Sequence, residues 1–372
     1  MQAPKGQWIN TSGVVTMTEL TLERVKEDLY ARKDPTLTPV DIEAKAPLVH
    51  EILELKQKLG VVILGHNYME PLVFNLSTRR EQGDSLGLSR FAAATDADYI
   101  IFNGVLFMAE TAKVLSPAKR VLISDKKAGC SLADDFDPEE IDRLKELHPG
   151  APVMIYINSY AEAKARCDVT CTSANAVEIA LAMPGDEIIF VPDILFAENL
   201  EQDLAGEKKV IFPGKDSATR GSVCEVHEKF TIDDLLNIRK TFDIPRGHPH
   251  RLIYAHWECR PEVLREADFY GSTSQISGDI GGRVKAGTLE QAFVASECEL
   301  TSNLSQEFPG VQFATACSVR CQWMAKMTLE GILDILHRID TGGDLAQYEV
   351  NLEPEIIEKA RGPIEKMLEL SS

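Results

Sequence analysis

The sequence VVILGHNYM, residues 61–69, is the clearest indication of the fold of this chain. Its β-branched run stops at polar residues from His66 onward, which is typical of a buried parallel strand with functional side chains at its carboxyl end. Before it, residues 39–59 place apolar side chains at every third or fourth position, which predicts a helix that ends at Gly60. Together the two segments predict one α/β unit.

The same unit recurs twice along the chain. The strand-like runs VMIYIN and RLIYAH end at Asn158 and His256, at similar intervals after His66. In each third of the chain a helical segment and a second strand follow. A last strand then closes each third, and a cysteine comes shortly after it: Cys130, Cys224 and Cys321. The pattern predicts three α/β modules of similar length.

Strands that alternate with helices predict parallel sheets with helices on both faces, so each module should be a three-layer αβα domain. The expected divisions are an N-terminal extension 1–38, a first module 39–133 completed by 322–372, a second module 134–228 and a third module 229–321. Ligands gather at the carboxyl ends of such strands. If the modules meet there, the three cysteines converge on one site; the alternative is that βα repeats of similar length arose by chance.

Composition excludes several classes of protein. The formal net charge is −19 and no Lys/Arg block is present, which argues against a nucleic-acid partner. The longest apolar runs, such as residues 187–194, are too short to cross a bilayer, and the N-terminus lacks the apolar core of a signal peptide. We therefore expect a cytoplasmic protein with no membrane partner.

The chain has eight cysteines, more than packing alone suggests: Cys130, Cys167, Cys171, Cys224, Cys259, Cys298, Cys317 and Cys321. A reducing compartment disfavours a disulfide framework, so metal ligation or redox chemistry is the leading interpretation, with inert buried thiols as the alternative for most. Structural zinc usually takes local Cys-x2-Cys pairs, and none is present. Widely spaced single cysteines better suit a [4Fe–4S] cluster held by three thiolates, which leaves one iron open to substrate.

At this point a family resemblance becomes specific. A series of motifs occurs in the order seen in quinolinate synthases: GHNYM (65–69), GDSL (83–86), FNGVLFMAETAKVLSP (102–117), AGCSLAD (128–134), KARCDVTCTSANAV (164–177), GSVCEVH (221–227), HWEC (256–259), GSTSQI (271–276) and CQWMAKMTLE (321–330). The matching region runs from about residue 45 to about residue 340. Motifs of this length are rarely shared by chance.

The resemblance implies an enzyme that condenses iminoaspartate with dihydroxyacetone phosphate and releases phosphate and two waters. Its product, quinolinate, serves NAD synthesis, and functional coupling to an L-aspartate-oxidising enzyme is expected. The resemblance also implies three similar domains around a pseudo-threefold axis, with the [4Fe–4S] cluster where they meet. The family's ligand positions fall on Cys130, Cys224 and Cys321, with Cys317 as the alternative to Cys321.

Substrate and catalytic positions carry over from the family one at a time. The implied catalytic residues are Tyr68, His256 and Glu258. The implied substrate-binding residues are His66, Ser85, Tyr156, Asn158, Ser173, Ser272 and Thr273. Tautomerisation and two dehydrations need His, Tyr and Glu side chains that move protons near neutral pH, and hydroxyl donors suit a dicarboxylate or a phosphate. Without the resemblance, each of these residues would more simply be a packing or capping residue.

The chain departs from the family at four places, one of which is STRREQ (77–82), a segment more charged than expected. Trp257 replaces the proline of His-Pro-Glu, Ser296-Glu297-Cys298 replaces Thr-Glu-Gly, and Gln322 replaces the proline after the third ligand. None removes a ligand or a proton-transfer group. Cys167, Cys171, Cys259 and Cys298 are assigned to packing. The competing functions are a non-catalytic iron–sulfur or thiol sensor on the same scaffold, and a related iron–sulfur hydro-lyase acting on another dicarboxylate.

Overall fold

The computed structural model describes residues 20–32, 34, 37–215, 219–314 and 319–371. The predicted N-terminal extension is therefore described only in part, and Cys317 lies outside the described residues. In the described part, no helix is long and apolar enough to cross a membrane.

Two helices precede the first sheet: α1 (Leu22–Arg32) and α2 (Pro39–Leu59). Helix α2 begins where the side chain of Thr38 accepts a hydrogen bond from the Asp41 N–H and Asp41 caps Thr38 in return. This reciprocal cap satisfies backbone donors that a helix start leaves unpaired. Helix α2 ends at Gly60, whose φ of 63° favours glycine. The turn directs the chain into β1, as the sequence predicted.

Each of three sheets has four parallel strands. The first contains β1 (Val62–His66), β2 (Gln82–Gly83), β3 (Tyr99–Asn103) and β4 (Arg120–Leu122), in the order β2-β1-β3-β4. The second contains β5 (Val153–Tyr156), β6 (Val169–Cys171), β7 (Glu187–Val191) and β8 (Lys209–Ile211), in the order β6-β5-β7-β8. The third contains β9 (Arg251–His256), β10 (Phe269–Gly271), β11 (Gln291–Ala295) and β12 (Gln312–Phe313), in the order β10-β9-β11-β12.

Helices connect the strands of every sheet. The first sheet carries α3 (Pro71–Phe74), α4 (Ser85–Ala94) and α5 (Leu106–Leu115), followed by α6 (Ser131–Asp134). The second carries α7 (Glu139–Leu147), α8 (Ala161–Lys164), α9 (Ala176–Ala182) and α10 (Ile194–Asp203). The third carries α11 (Ile232–Phe242), α12 (Pro261–Glu266), α13 (Thr273–Ala286) and α14 (Cys298–Glu307). Because strand order repeats in all three sheets, the prediction of three similar αβα units with parallel sheets is confirmed.

The chain ends in two long helices, α15 (Leu329–Thr341) and α16 (Pro354–Leu370). Helix α15 packs on α2, whereas α16 packs on α5 of the first sheet and on α8, α9 and β6 of the second. Between them, Glu349 forms an antiparallel bridge with Leu122 at the end of β4. The C-terminal segment thus joins the first two sheets. The residue boundaries of the three modules remain a prediction.

Candidate active site

The carboxyl ends of β1, β5 and β9 border one cavity with about 650 Å³ of empty space. All predicted site residues except Ser272 line this cavity: Tyr68, His256, Glu258, His66, Ser85, Tyr156, Asn158, Ser173, Thr273, Cys130, Cys224 and Cys321. The three strand ends therefore converge, as the spacing of the repeats indicated.

Ser272 does not face the cavity. It is fully buried, and its hydroxyl accepts a hydrogen bond from the Gln275 N–H at the start of α13. The Gln275 side chain caps the Ser272 backbone N–H in return, at 2.8 Å. This capping box fixes the helix start, so that the next residue, Thr273, lines the cavity. The Thr273 hydroxyl accepts a hydrogen bond from the Asn67 amide at 2.8 Å, which ties the third module to the end of β1.

Three cysteines share one local geometry. Cys130 precedes α6, and Cys224 and Cys321 precede short 3-10 turns at His227–Lys229 and Met324–Lys326. In each case the backbone N–H groups two and three residues later hydrogen-bond to the sulfur: Leu132 and Ala133, Val226 and His227, Trp323 and Met324. Paired N–H donors of this kind stabilise a thiolate, which is the form that binds metal.

The electrostatics of these thiols favour a cationic centre between them. Burial raises the pKa of Cys130 and of Cys224, and raises that of Cys321 to about 11. The negative charge of Cys321 further raises the pKa of Cys130, which in turn raises that of Cys224. Three ionised thiols lining one cavity therefore need a positive partner, and bound iron would supply it. All three are free and half-buried, so the set could hold a metal centre open to the cavity.

The remaining cysteines differ from these three. Among the free cysteines that the structure describes, Cys167, Cys171 and Cys259 do not receive a pair of backbone N–H groups. Cys171 and Cys259 are fully buried, and Cys167 donates to the Ala163 carbonyl at 3.3 Å. Cys298 is buried, as expected for packing, but it is also disulfide-bonded, which the expectation of packing alone did not include.

His227 links two sides of the cavity. Its Nδ1 lies 2.6 Å from Oε2 of Glu258 and 3.1 Å from Sγ of Cys224. Its Nε2 lies 3.1 Å from Oγ of Ser296 and 3.3 Å from the hydroxyl of Tyr68. The Tyr68 and Ser296 hydroxyls are themselves 2.9 Å apart. A continuous hydrogen-bonded path therefore runs from the Tyr68 hydroxyl through His227 to the Glu258 carboxylate.

Cys224, His227 and Glu258 also form a group whose potential ligand atoms all lie within 4.8 Å of one another. The 2.6 Å separation of Nδ1 and Oε2 is that of a hydrogen bond. Ligands of one tetrahedral zinc ion, bound at about 2.0–2.3 Å, stand about 3.3 Å or more apart. In this arrangement His227 and Glu258 are hydrogen-bond partners, and the sulfur of Cys224 is left for a metal centre shared with the other two cysteines.

Glu258, in the third module, is held by side chains of the second module. Besides His227, it accepts a hydrogen bond from the Asn158 amide at 3.0 Å and one from the Tyr156 hydroxyl. Burial alone raises the pKa of this carboxyl, but the charge and hydrogen bond of His227, with His256 and Tyr156, lower the pKa to about 2. Glu258 is therefore a carboxylate near neutral pH, positioned to accept protons.

Two histidines and a tyrosine beside this carboxylate are kept neutral. Burial lowers the pKa of His66 to about 4, and burial with the charge of His227 lowers that of His256 to about 3. Burial and the charge of Glu258 raise the pKa of Tyr68 well above its usual value. The rings of His227 and His256 stack at 4.6 Å. Neutral side chains of His66, His256 and Tyr68 thus lie in the cavity with the Glu258 carboxylate.

Sequence reasoning assigned no role to His227, Ser296 or Glu297. Glu297 lines the cavity and accepts hydrogen bonds from the backbone N–H groups of Cys321 and Glu299. Burial raises its pKa to about 8. Ser296 and Glu297 directly follow β11, so the strand-end rule that found His66, Asn158 and His256 would have identified them too. The sequence feature that could have identified His227 as a site residue is its position three residues after Cys224.

These features define an enzyme site built on three parallel sheets, and the family comparison agrees. The model of the quinolinate synthetase A protein family matches residues 50–369. The chain belongs to this family.

Curated relatives in this family carry the name quinolinate synthase. A protein from Caulobacter vibrioides is 38% identical over 338 residues, which cover 90% of this chain and 84% of the relative. Quinolinate synthase 2 from Mesorhizobium japonicum is 38% identical over 91% of this chain and 96% of its own length. The Agrobacterium fabrum quinolinate synthase is 39% identical over 87% of this chain and 85% of its own length.

The low pKa of His66 predicts a pH-dependent stability. Between pH 6.5 and 4 the unfolded chain binds a proton at this residue that the folded protein does not, so the free energy of unfolding falls as pH falls. By pH 5 the loss attributable to His66 should be about 2 kcal/mol. Denaturant unfolding at pH 7 and pH 5 should therefore show a smaller pH effect for His66→Asn than for the wild type.

The matched control is His337→Asn, since the His337 side chain is half exposed. It should retain the wild-type pH effect. An equal loss of stability on acidification in the wild type and His66→Asn would show that His66 is not kept neutral in the folded protein.

Proposed function

We propose that this protein is a quinolinate synthase in NAD synthesis that condenses iminoaspartate with dihydroxyacetone phosphate. The reaction releases phosphate and two waters, and a [4Fe–4S] cluster is held by Cys130, Cys224 and Cys321. The observation that carries the proposal is the single cavity in which three N–H-supported thiols face the Tyr68–His227–Glu258 path. An L-aspartate-oxidising enzyme in the same compartment would supply the imine.

The donor set fits an iron–sulfur cluster with an open iron. Three thiolates are the protein ligands that such a cluster requires, and the fourth iron then has no cysteine. The described residues that line the cavity include no further cysteine. When bound, the cluster supplies a Lewis acid that polarises a substrate oxygen or nitrogen.

We assign proton transfer to the hydrogen-bonded path that runs from Tyr68 through His227 to Glu258. The proposed chemistry moves a hydrogen between carbons during tautomerisation and removes two hydroxyl groups as water, so protons must be both accepted and donated. A proton taken up at the Tyr68 end can pass to Nε2 of His227, while Nδ1 releases its own proton to Glu258 at 2.6 Å. Ser296 stabilises the Tyr68 oxygen by hydrogen bonding.

Substrate anions would be held by neutral donors. The described part of the cavity wall contains no Lys or Arg, but it includes the hydroxyls of Ser85, Ser173 and Thr273 and the amide of Asn158. Hydrogen bonds to carboxylate and phosphate oxygens are stronger than those between neutral partners. A bound cluster would add its open, Lewis-acidic iron as a further contact for a substrate oxygen.

A non-catalytic iron–sulfur or thiol sensor is the alternative from another class. A sensor needs the three cysteines, but it does not need a buried carboxylate with its pKa lowered to about 2 and linked to a tyrosine. A related hydro-lyase acting on another dicarboxylate would share the open iron, and it would not require a triose phosphate. Competition between substrates separates this third possibility from the synthase.

Cluster binding can be tested on cysteine variants. Anaerobically purified wild type should contain about four iron and four sulfide per chain. Cys321→Ser should lose most of this iron because the Ser hydroxyl is a poor replacement for a thiolate, whereas Cys317→Ser and Cys167→Ser should retain it. Metal analysis with a visible spectrum measures the iron content and the presence of the cluster in the wild type and in each variant. Retention in Cys321→Ser with loss in Cys317→Ser would reverse the ligand assignment, and zinc in place of iron would contradict the cluster.

Catalysis can be tested at Glu258. Glu258→Gln keeps the size of the side chain but removes the negative charge, so quinolinate formation should fall by about 10²–10⁴-fold with cluster content unchanged. The assay follows quinolinate from enzymatically generated iminoaspartate and dihydroxyacetone phosphate. Glu262→Gln, in the first turn of α12, is the matched control and should behave as wild type. A cluster-loaded wild type that makes no quinolinate would refute the synthase, and a fully active Glu258→Gln would remove this carboxylate from the chemistry.

A further inference from the structure

The three residues that directly follow the proposed ligand cysteines are linked to one another through Glu225. Ser131 follows Cys130, Glu225 follows Cys224, and Gln322 follows Cys321. We propose that these three residues, here called the belt, position the cysteine loops relative to one another and determine how firmly the metal centre is retained. This inference rests on the proposed function for the identity of the centre, and it extends that function to residues without a ligand atom.

The first link joins Ser131 to the Cys224 loop. The Ser131 hydroxyl donates to the Val223 carbonyl at 3.2 Å and accepts from the Glu225 N–H at 3.1 Å. One hydroxyl therefore holds the backbone on both sides of Cys224. Because the peptide groups before and after a residue set the direction of its side chain, this contact fixes where the Cys224 sulfur points relative to Cys130.

The second link joins Gln322 to Glu225. The Gln322 amide donates to both carboxylate oxygens of Glu225, at 3.2 and 3.1 Å. Gln322 is exposed, so this link closes the solvent side of the cysteine loops. The family position held by Gln322 is usually a proline, which has no side-chain donor and cannot make this bond. A chain with proline at this position could not form the Gln322–Glu225 hydrogen bonds. This chain therefore has the second link in addition to the contact of Ser131 with the Cys224 loop.

Other contacts hold the loops without belonging to the belt. The buried Ser222 hydroxyl donates to the Leu132 carbonyl at 2.9 Å, and Glu297 accepts from the Cys321 N–H at 3.2 Å. These bonds remain when the Ser131 hydroxyl or the Gln322 amide is removed. Variants of the belt should therefore fold, with the cysteine loops less tightly held. A variant that folds but retains the metal less firmly would therefore indicate a positioning role and not a general role in folding.

The test measures iron release from the anaerobic holoenzyme to an excess of a strong chelator. Ser131→Ala should release iron about three to ten times faster than wild type because two hydrogen bonds beside Cys224 are lost. Gln322→Ala should release iron about two to three times faster than wild type. Ser131→Thr retains the hydroxyl and should restore slow release. The matched control is Gln312→Ala. Gln312 is also exposed but lies in β12 of the third sheet, and its substitution should leave the rate of iron release unchanged. Wild-type rates in both Ser131→Ala and Gln322→Ala would overturn the inference.

A second measurement separates this inference from the proposed function. The full-length apoprotein is titrated anaerobically with Cd²⁺, and thiolate coordination is followed by ultraviolet absorption. If the belt positions the three thiols before any metal arrives, Ser131→Ala should bind Cd²⁺ about three to ten times more weakly than wild type. If wild type takes up no iron–sulfur cluster, the proposed function fails and the Cd²⁺ series alone decides. Equal Cd²⁺ affinity in wild type and Ser131→Ala would then overturn the role of Ser131.

Discussion

The site depends on a buried hydrogen bond between a histidine and a carboxylate. The Nδ1 of His227 and Oε2 of Glu258 lie 2.6 Å apart, with side-chain exposures of 1% and 3%. An isolated carboxylate in such a place would be strongly destabilised, so the partner and further hydrogen bonds must offset its loss of hydration. Asn158 and Tyr156 of the second module provide those bonds, while Glu258 follows β9 of the third. The requirement to satisfy one charge thus brings two modules together.

The same carboxylate organises the charges around it. Its negative charge helps to raise the pKa of Tyr68, so the phenol keeps its proton until a reaction removes it. It also raises the pKa of Cys130 and Cys224, so these thiols resist ionisation until a cation is present. A cationic centre bound near the thiols would lower their pKa values and partly neutralise the field at Tyr68. In the proposed function, metal binding and proton transfer would therefore be coupled.

The sequence allowed the sheets and most of the site to be predicted because both follow from local pattern. A β-branched run that ends at a polar residue signals a strand and its carboxyl end together, and so His66, Asn158 and His256 were found on the cavity wall. His227 was missed because its role depends on a contact between a turn of the second module and Glu258 of the third. The hydrophobic periodicity of the sequence gives no information about such a contact. Ser272 was assigned to substrate by family position, whereas the cap it forms with Gln275 depends on how α13 begins.

The replacement of proline by Trp257 illustrates how the third module can change while the Glu258 carboxylate stays in place. The indole packs against Phe196 of the second module at 5.5 Å and Tyr270 of the third at 5.2 Å, in space that a pyrrolidine ring would not fill. The backbone on both sides of Glu258 is fixed separately, because the Asn199 amide donates to the carbonyls of Trp257 and Cys259, both at 2.8 Å. Phe196 of α10 and Tyr270 of β10 thus pack against the indole, whereas Asn199 of α10 sets the backbone position. The larger ring therefore increases the contact between the modules, while Asn199 continues to direct Glu258 toward His227.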